Sequence, residues 1–423
     1  MLTKVERDEI IALIRQEVTP AIGCTEPIAV ALAVARVKEL LTVIPEKLDI
    51  WLSANVLKNA MGVGIPGTGM SGLPIAIAMG VLVGRSEYGL EVLRDSTPDI
   101  VEEGKKLVDR GIINIHLKED IVEKLYIEVT ASAGPDTARV IISREHTRFS
   151  LIEKNGIKLL ELEDNETEET VTEQLQLSFD KVCDFAFYTP IDEIRFIKKT
   201  VELNKAAAEE SLKGTYGHSV AQTLTNSTMG NSVYNHMLSV TAAACDARMA
   251  GAMIPVMSNS GSGNQGIAAT LPVSVFAEET GKSEEELIRA LILSHLITIY
   301  IKQSLGRLSG LCGAVVAATG SGCGVTYLMG GTREQIGFTV KNMIGNVTGM
   351  ICDGAKPSCT LKVHNGVSTA TLSALLAMDN KVVTAVEGIV DEDVDKTIQN
   401  LTKIGREGMT ETDKMVLDIM TNK

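Results

Sequence analysis

"KLYIEVTAS" (124–132) and "ARVIIS" (138–143) are the stretches on which the fold turns. Each is a short run rich in β-branched residues, and Gly134 and Pro135 punctuate the space between them. "GIINIHLK" (111–118) precedes the pair, and "TRFSLIEKNG" (147–156) follows and closes on Asn-Gly. Helix-like "DIVEEGKKLVDRG" (99–111) joins the set. Residues 88–185 therefore predict a small α+β module.

On both sides the texture is helical. "KVERDEIIALIRQEV" (4–18) and "EPIAVALAVARVKELL" (26–41) carry apolar residues at helical spacing, so 1–84 reads as mostly helix. After "DEIRFIKKTVELNKAAAEESLKG" (192–214), long helices rich in Ala, Gly and Met continue to the C-terminus. The expected architecture is an α+β fold: a mainly helical catalytic domain from 1–87 and 186–423, with 88–185 inserted as a small α+β domain.

Composition narrows the function. A chain of 423 residues, 45% hydrophobic and 22% charged, can bury a large core in one or two domains. A net charge of −14 argues against nucleic acid or an anionic membrane as partner. The start lacks the apolar core of a signal peptide, which predicts a cytoplasmic protein. The uncharged stretch 308–331 is built from Gly, Ala, Ser and Thr and predicts a buried helix rather than a membrane span. A homo-oligomer, by default a dimer, is expected.

Two segments concentrate polar and glycine residues. "SANVLKNAMGVGIPGTGMSG" (53–72) places Asn55, Lys58 and Asn59 ahead of a Gly-rich turn. "SNSGSGNQGI" (258–267) supplies Ser260, Gly261, Ser262, Gly263, Asn264 and Gln265. Such loops direct backbone N–H groups at a carboxylate or phosphate, or else they let helices approach closely; both readings stand at this point. Neither is a phosphate loop or a dinucleotide fingerprint. His218 and His236 flank the polar run 219–235, and Asp246 and Arg248 read as a buried ion pair.

Seven cysteines are an odd number and too few for a disulfide scaffold, leaving thiols for metal or catalysis. Cys183 and Cys245 lie in apolar runs and read as structural, and Cys323 reads either way. Cys24 precedes a helix start, where the N-terminus would lower a thiol pKa. Cys312, Cys352 and Cys359 are flanked by Gly or Pro, and the three either meet on one metal or are separate core thiols. Their spacing disfavours zinc. Three thiolates can hold a [4Fe–4S] cluster with one iron open, the Lewis acid an elimination needs.

"PAIGCTEP" (20–27), "SANVLKNAMGVGIPG" (53–67), "SNSGSGNQGI" (258–267) and "GMICDGAKPSC" (349–359) together resemble the L-cysteine desulfidase family, relatives of the alpha chain of iron–sulfur L-serine dehydratases. The resemblance covers nearly the whole chain. It implies Cys312, Cys352 and Cys359 as ligands of a [4Fe–4S] cluster, although the dehydratases have a longer gap between their last two cysteines. It implies pyridoxal-free β-elimination, without pyridoxal phosphate, of a small amino acid. L-cysteine would give sulfide, ammonia and pyruvate; L-serine dehydratase activity is the alternative, and an iron–sulfur sensor the non-enzyme one. Asn55, Asn59 and the 260–265 loop would hold the substrate. Cys24 would act as base, with Lys58 as the other candidate.

Overall fold

The computed structural model describes residues 2–119, 123–162, 175–227, 231–306 and 309–422. Parts of the expected module (120–122 and 163–174), residues 228–230 of the polar run and Leu308 lie outside the described residues.

The first third interleaves helix and strand. Helix α1 (Lys4–Glu17) opens on a Thr3/Glu6 capping box. Strand β1 (Pro20–Ile22), α2 (Thr25–Leu41), β2 (Lys47–Leu52), α3 (Ala54–Ala60), α4 (Leu73–Leu82) and α5 (Pro98–Asp109) follow. Then come β3 (Ile113–Leu117), β4 (Tyr126–Ala133), β5 (Asp136–Ser143), β6 (Phe149–Lys154) and β7 (Ile157–Glu161). The sheet order is β3-β2-β4-β5-β6-β7, antiparallel except for the β2/β3 pair. Gly134-Pro135 closes the β4–β5 hairpin with Ala133 opposite Asp136. Asn155 and Gly156, both at positive φ, close β6–β7, as a two-residue turn of this type requires.

The four strand runs expected between 111 and 156 are present, and the fold is α+β with a mainly helical part. Two strands of the six-stranded sheet escaped the sequence reading, as did the short β1 and β8 outside it. β7 continues past the Asn-Gly turn, and β2 lies in a segment read as helical yet occupies an interior place in the sheet. Its sequence, KLDIWL, alternates so that Leu48, Ile50 and Leu52 are fully buried. The sheet layer is thus built from both sides of the boundary expected at 87/88. Helices α2 and α4 pack together beside it, in one apolar cluster with its buried strand residues. Alanines and Gly80 permit this, since a Cβ at Gly80 would stand 2.7 Å from the carbonyl of Ala31.

The remainder is helical: α6 (Phe179–Tyr188), α7 (Ile191–Ile194), α8 (Lys199–Leu212), α9 (Val220–Thr225) and α10 (Val233–Met249), then strand β8 (Pro255–Met257). Helices α11 (Gly263–Glu279), α12 (Glu284–Leu305), α13 (Gly313–Leu328), α14 (Arg333–Val347), α15 (Cys359–Met378), α16 (Val394–Lys403) and α17 (Thr410–Thr421) complete the chain. The uncharged stretch forms α13, buried almost throughout, with α11, α12, α14 and α15 packed around it. Among the described residues, no helix is long and apolar enough to cross a membrane.

Candidate active site

Two backbone staples bring distant segments together. β1 pairs antiparallel with β8, and Ser258 and Ser260 donate their N–H groups to Thr19 O and Glu17 O at 2.8 and 2.9 Å. The chain leaving β1 as Gly23-Cys24 therefore runs beside the chain leaving β8 as Ser258–Ser262. The second staple is an antiparallel bridge between Leu311 and Ile351. Cys312 N donates to Met350 O (2.9 Å) and Cys352 N to Gly310 O (2.8 Å), which sets two cysteine segments side by side. Gly354 turns the chain at φ +86° toward Cys359; a Cβ there would stand 2.1 Å from Lys58 O.

These segments enclose a cavity of about 120 Å³. Cys312, Cys352 and Cys359 line it together with Cys24, Glu26, Asn59, Ser260, Gly261, Ser262, Asn264 and Gln265. Helices α2, α11 and α13 begin at this cavity with Cys24, Ser262 and Cys312 as N-caps, and α15 begins with Cys359 itself. None of the four has a side-chain cap hydrogen bond. Uncapped N–H groups and the positive ends of four helix dipoles converge on the cavity, which suits anionic occupants.

Cys24 and Cys312 are buried, and Cys352 and Cys359 are half-buried. Burial first, then the neighbouring Cys352 and Cys359, push Cys312 up to about 12. Burial likewise raises Cys359. Cys24 does not follow the expectation of a lowered pKa. Burial and the adjacent Glu26 carboxylate push it well up, against which Arg248 acts weakly. Its Sγ donates to Glu26 Oε2 at 3.0 Å, so the resting pair is thiol and carboxylate. Burial pushes Glu26 up, but the charge of His146 and the Cys24 thiol outweigh it and hold Glu26 below its ordinary value. Thr25 Oγ1 donates to Glu26 Oε2 (3.1 Å) and Asn59 Nδ2 to Oε1 (3.2 Å). His146, from the β5–β6 turn, approaches Oε1 at 4.0 Å.

The 260–265 loop is braced from behind. Asn259 Nδ2 donates to His295 Nδ1 (3.0 Å) and to His295 O (3.2 Å). That fixes the neutral ring with its proton on Nε2, facing Thr270 Oγ1 at 3.0 Å. Burial pushes His295 down to about 3.

Several sequence candidates stand elsewhere. Lys58 is buried off the cavity, where its Nζ donates to Asp413 Oδ1 (2.6 Å) and Cys352 O (3.1 Å). Its place is to tie α3 to the Cys352 turn. Asn55 borders a different cavity with Lys118 and Asp418. In the 62–72 turn Gly64 serves close packing, since a Cβ there would meet the Ala250 backbone at 2.3 Å. Gly263, the first residue of α11, abuts the Arg248 side chain; a Cβ there would stand 2.2 Å from Nε, so a larger residue would displace the guanidinium. Cys323 and Cys183 are fully buried away from the cavity, and Cys245 is buried behind it in the cluster that holds Cys24 and Cys312. His218 and His236 do not line it. Asp246 and Arg248 are not an ion pair: Asp246 Oδ2 accepts from Val220 N (2.8 Å), while Arg248 turns to Asn264 and Gly23. Sequence reading passed over Glu26, His146, Arg248 and Lys302 as lining residues. Of these only Glu26 had a usable signal, a carboxylate two residues after Cys24 in the first turn of a helix.

Residues 87–418 match the family model described as serine dehydratase alpha chain. A UPF0597 protein of Bacteroides fragilis is 65% identical over 426 residues, covering 100% of both chains. Others from Porphyromonas gingivalis and Oleidesulfovibrio alaskensis are 54% and 45% identical, covering 99% or more of each chain.

Proposed function

This chain belongs to the serine dehydratase alpha chain family, and from that premise we propose that it is a lyase performing pyridoxal-independent β-elimination on L-cysteine, with a [4Fe–4S] cluster held by Cys312, Cys352 and Cys359. The observation that carries the reading is the meeting of these three thiols, from two separate segments, on one cavity that also holds the Cys24–Glu26 pair. The donor set fits the cluster: three soft thiolates suit iron–sulfur chemistry rather than a hard cation. Among the described residues, no three Cys, His, Asp or Glu side chains gather tightly enough for a single metal ion. Cys312, Cys352 and Cys359 would each supply one thiolate to the cluster.

When bound, the cluster supplies a Lewis-acidic iron for the departing sulfur. The chain's own residues do the rest. The Cα proton moves to Glu26, whose Oε2 is oriented by the Cys24 thiol and the Thr25 hydroxyl and whose Oε1 is held by Asn59. The base role thus passes from Cys24 to Glu26, because the thiol is the donor of the pair. The N–H groups at the start of α11 and the amides of Asn264 and Gln265 stabilise the negative charge that builds on the carboxylate side of Cα. Loss of sulfide leaves aminoacrylate, which hydrolyses to pyruvate and ammonia. A small cavity and the soft leaving sulfur favour L-cysteine; the family match favours L-serine, with hydroxide leaving, as the second reading.

The test is anaerobic purification followed by product analysis. Broad visible absorbance, and sulfide, ammonia and pyruvate in equal amounts from L-cysteine without added pyridoxal phosphate, are expected. Faster turnover of L-serine would select the second reading, and turnover of neither by iron-loaded protein would end both.

A further inference from the structure

Two buried polar groups on the cavity lack the partners their chemistry asks for. Arg248, in the last turn of α10, is 3% exposed. Its Nη1 donates to Asn264 Oδ1 (2.9 Å) and its Nη2 to Gly23 O (2.9 Å), both neutral acceptors, while its Nε is buried with no hydrogen bond. No carboxylate of a described residue pairs with it. An interior guanidinium without a counter-ion is costly, and a bound anion removes that cost. Gln265, 4% exposed and also on the cavity, keeps its Oε1 buried and unpartnered. Between them lies the uncapped start of α11. An unpaired cation at the end of α10, and free backbone donors and an orphaned acceptor in the first turn of α11, match a free α-amino acid group by group.

We propose that Arg248 with the α11 N-terminus seats the substrate's α-carboxylate, that Gln265 Oε1 accepts from its α-ammonium, and that the site therefore selects free α-amino acids over their amides, esters and peptides. Gly263 is required because a side chain there would displace the guanidinium. The choice of amino acid rests on the elimination reading above, but the seat itself is testable without turnover.

L-alanine keeps both charged groups and has no leaving group; L-alaninamide loses only the carboxylate. Calorimetric titration of the anaerobically purified protein should show L-alanine binding at least tenfold tighter than L-alaninamide. Arg248→Gln should weaken L-alanine by about 10–10²-fold, the scale of losing charge-assisted hydrogen bonds, and leave L-alaninamide unchanged. Arg248→Lys, which keeps the charge, should recover part of the loss and guards against a folding failure of the first variant. Equal binding of the two ligands by the wild type, or no measurable binding of L-alanine, overturns the proposal. So does an Arg248→Gln protein that loses iron absorbance while binding L-alanine normally, because the guanidinium would then serve the cluster. If the ligand discrimination holds while neither L-cysteine nor L-serine is consumed, the seat stands and the elimination reading falls.

Discussion

The two walls of the cavity are built on different principles. The 260–265 wall is braced from behind: β8 fixes its start, and His295 and Thr270 hold Asn259 and Gly266, while Gln265 Oε1 is left without a partner. The thiol wall is held by the Leu311–Ile351 backbone bridge, the Gly354 turn and the Lys58 side chain, and burial pushes Cys312 and Cys359 toward the neutral form. One wall is shaped to receive a small ligand. The other is shaped to receive something that compensates sulfur charge.

The largest effect should come from the thiol wall. Cys312→Ser, Cys352→Ser and Cys359→Ser should each lose iron, visible absorbance and turnover together, whereas Cys183→Ser and Cys323→Ser keep all three, as read by iron analysis. A Cys359→Ser protein with full iron would break the comparison by moving the third ligand to another thiol, with Cys24 the nearest alternative on the cavity.

Between the walls, Glu26→Gln should keep the absorbance and lower kcat by about 10²–10⁴, the usual worth of a general base. Cys24→Ala should cost only about tenfold, the size of one hydrogen bond to a charged group. Steady-state kinetics giving the reverse order would return the base role to Cys24.

In acid the effect falls on stability and not on turnover, and concerns the 260–265 wall. His295 in the fold is pushed down to about 3 by burial from an ordinary 6.5, so the unfolded chain binds its proton first. That contribution to stability is full above the ordinary value and falls by about 1.4 kcal/mol for each pH unit as acid is added, levelling only near the folded value. Denaturant unfolding across this range should show the slope. His295→Gln, which keeps an acceptor for Asn259, should flatten it, and an unchanged slope would assign the acid loss to carboxylates elsewhere.

Local pattern in the chain was enough for the strands from 111 to 156, the helices at either end and the buried character of α13, because alternation and helical spacing are properties of neighbours in sequence; the grouping of Cys312 with Cys352 and Cys359 rested on the family resemblance. It misassigned β2, whose six residues sit between helices and declare themselves only by pairing with β3 and β4. It also set Lys58 and Asn55 in the site and left Arg248 and His146 out. The reason is the same in each case. Whether a charged side chain meets a partner or a cavity depends on segments hundreds of residues away: Asp413 neutralises Lys58, while Arg248 meets only the neutral Asn264 and Gly23. Sequence determined which residues carry chemistry; only the β1–β8 and Leu311–Ile351 staples decided which of them share one cavity.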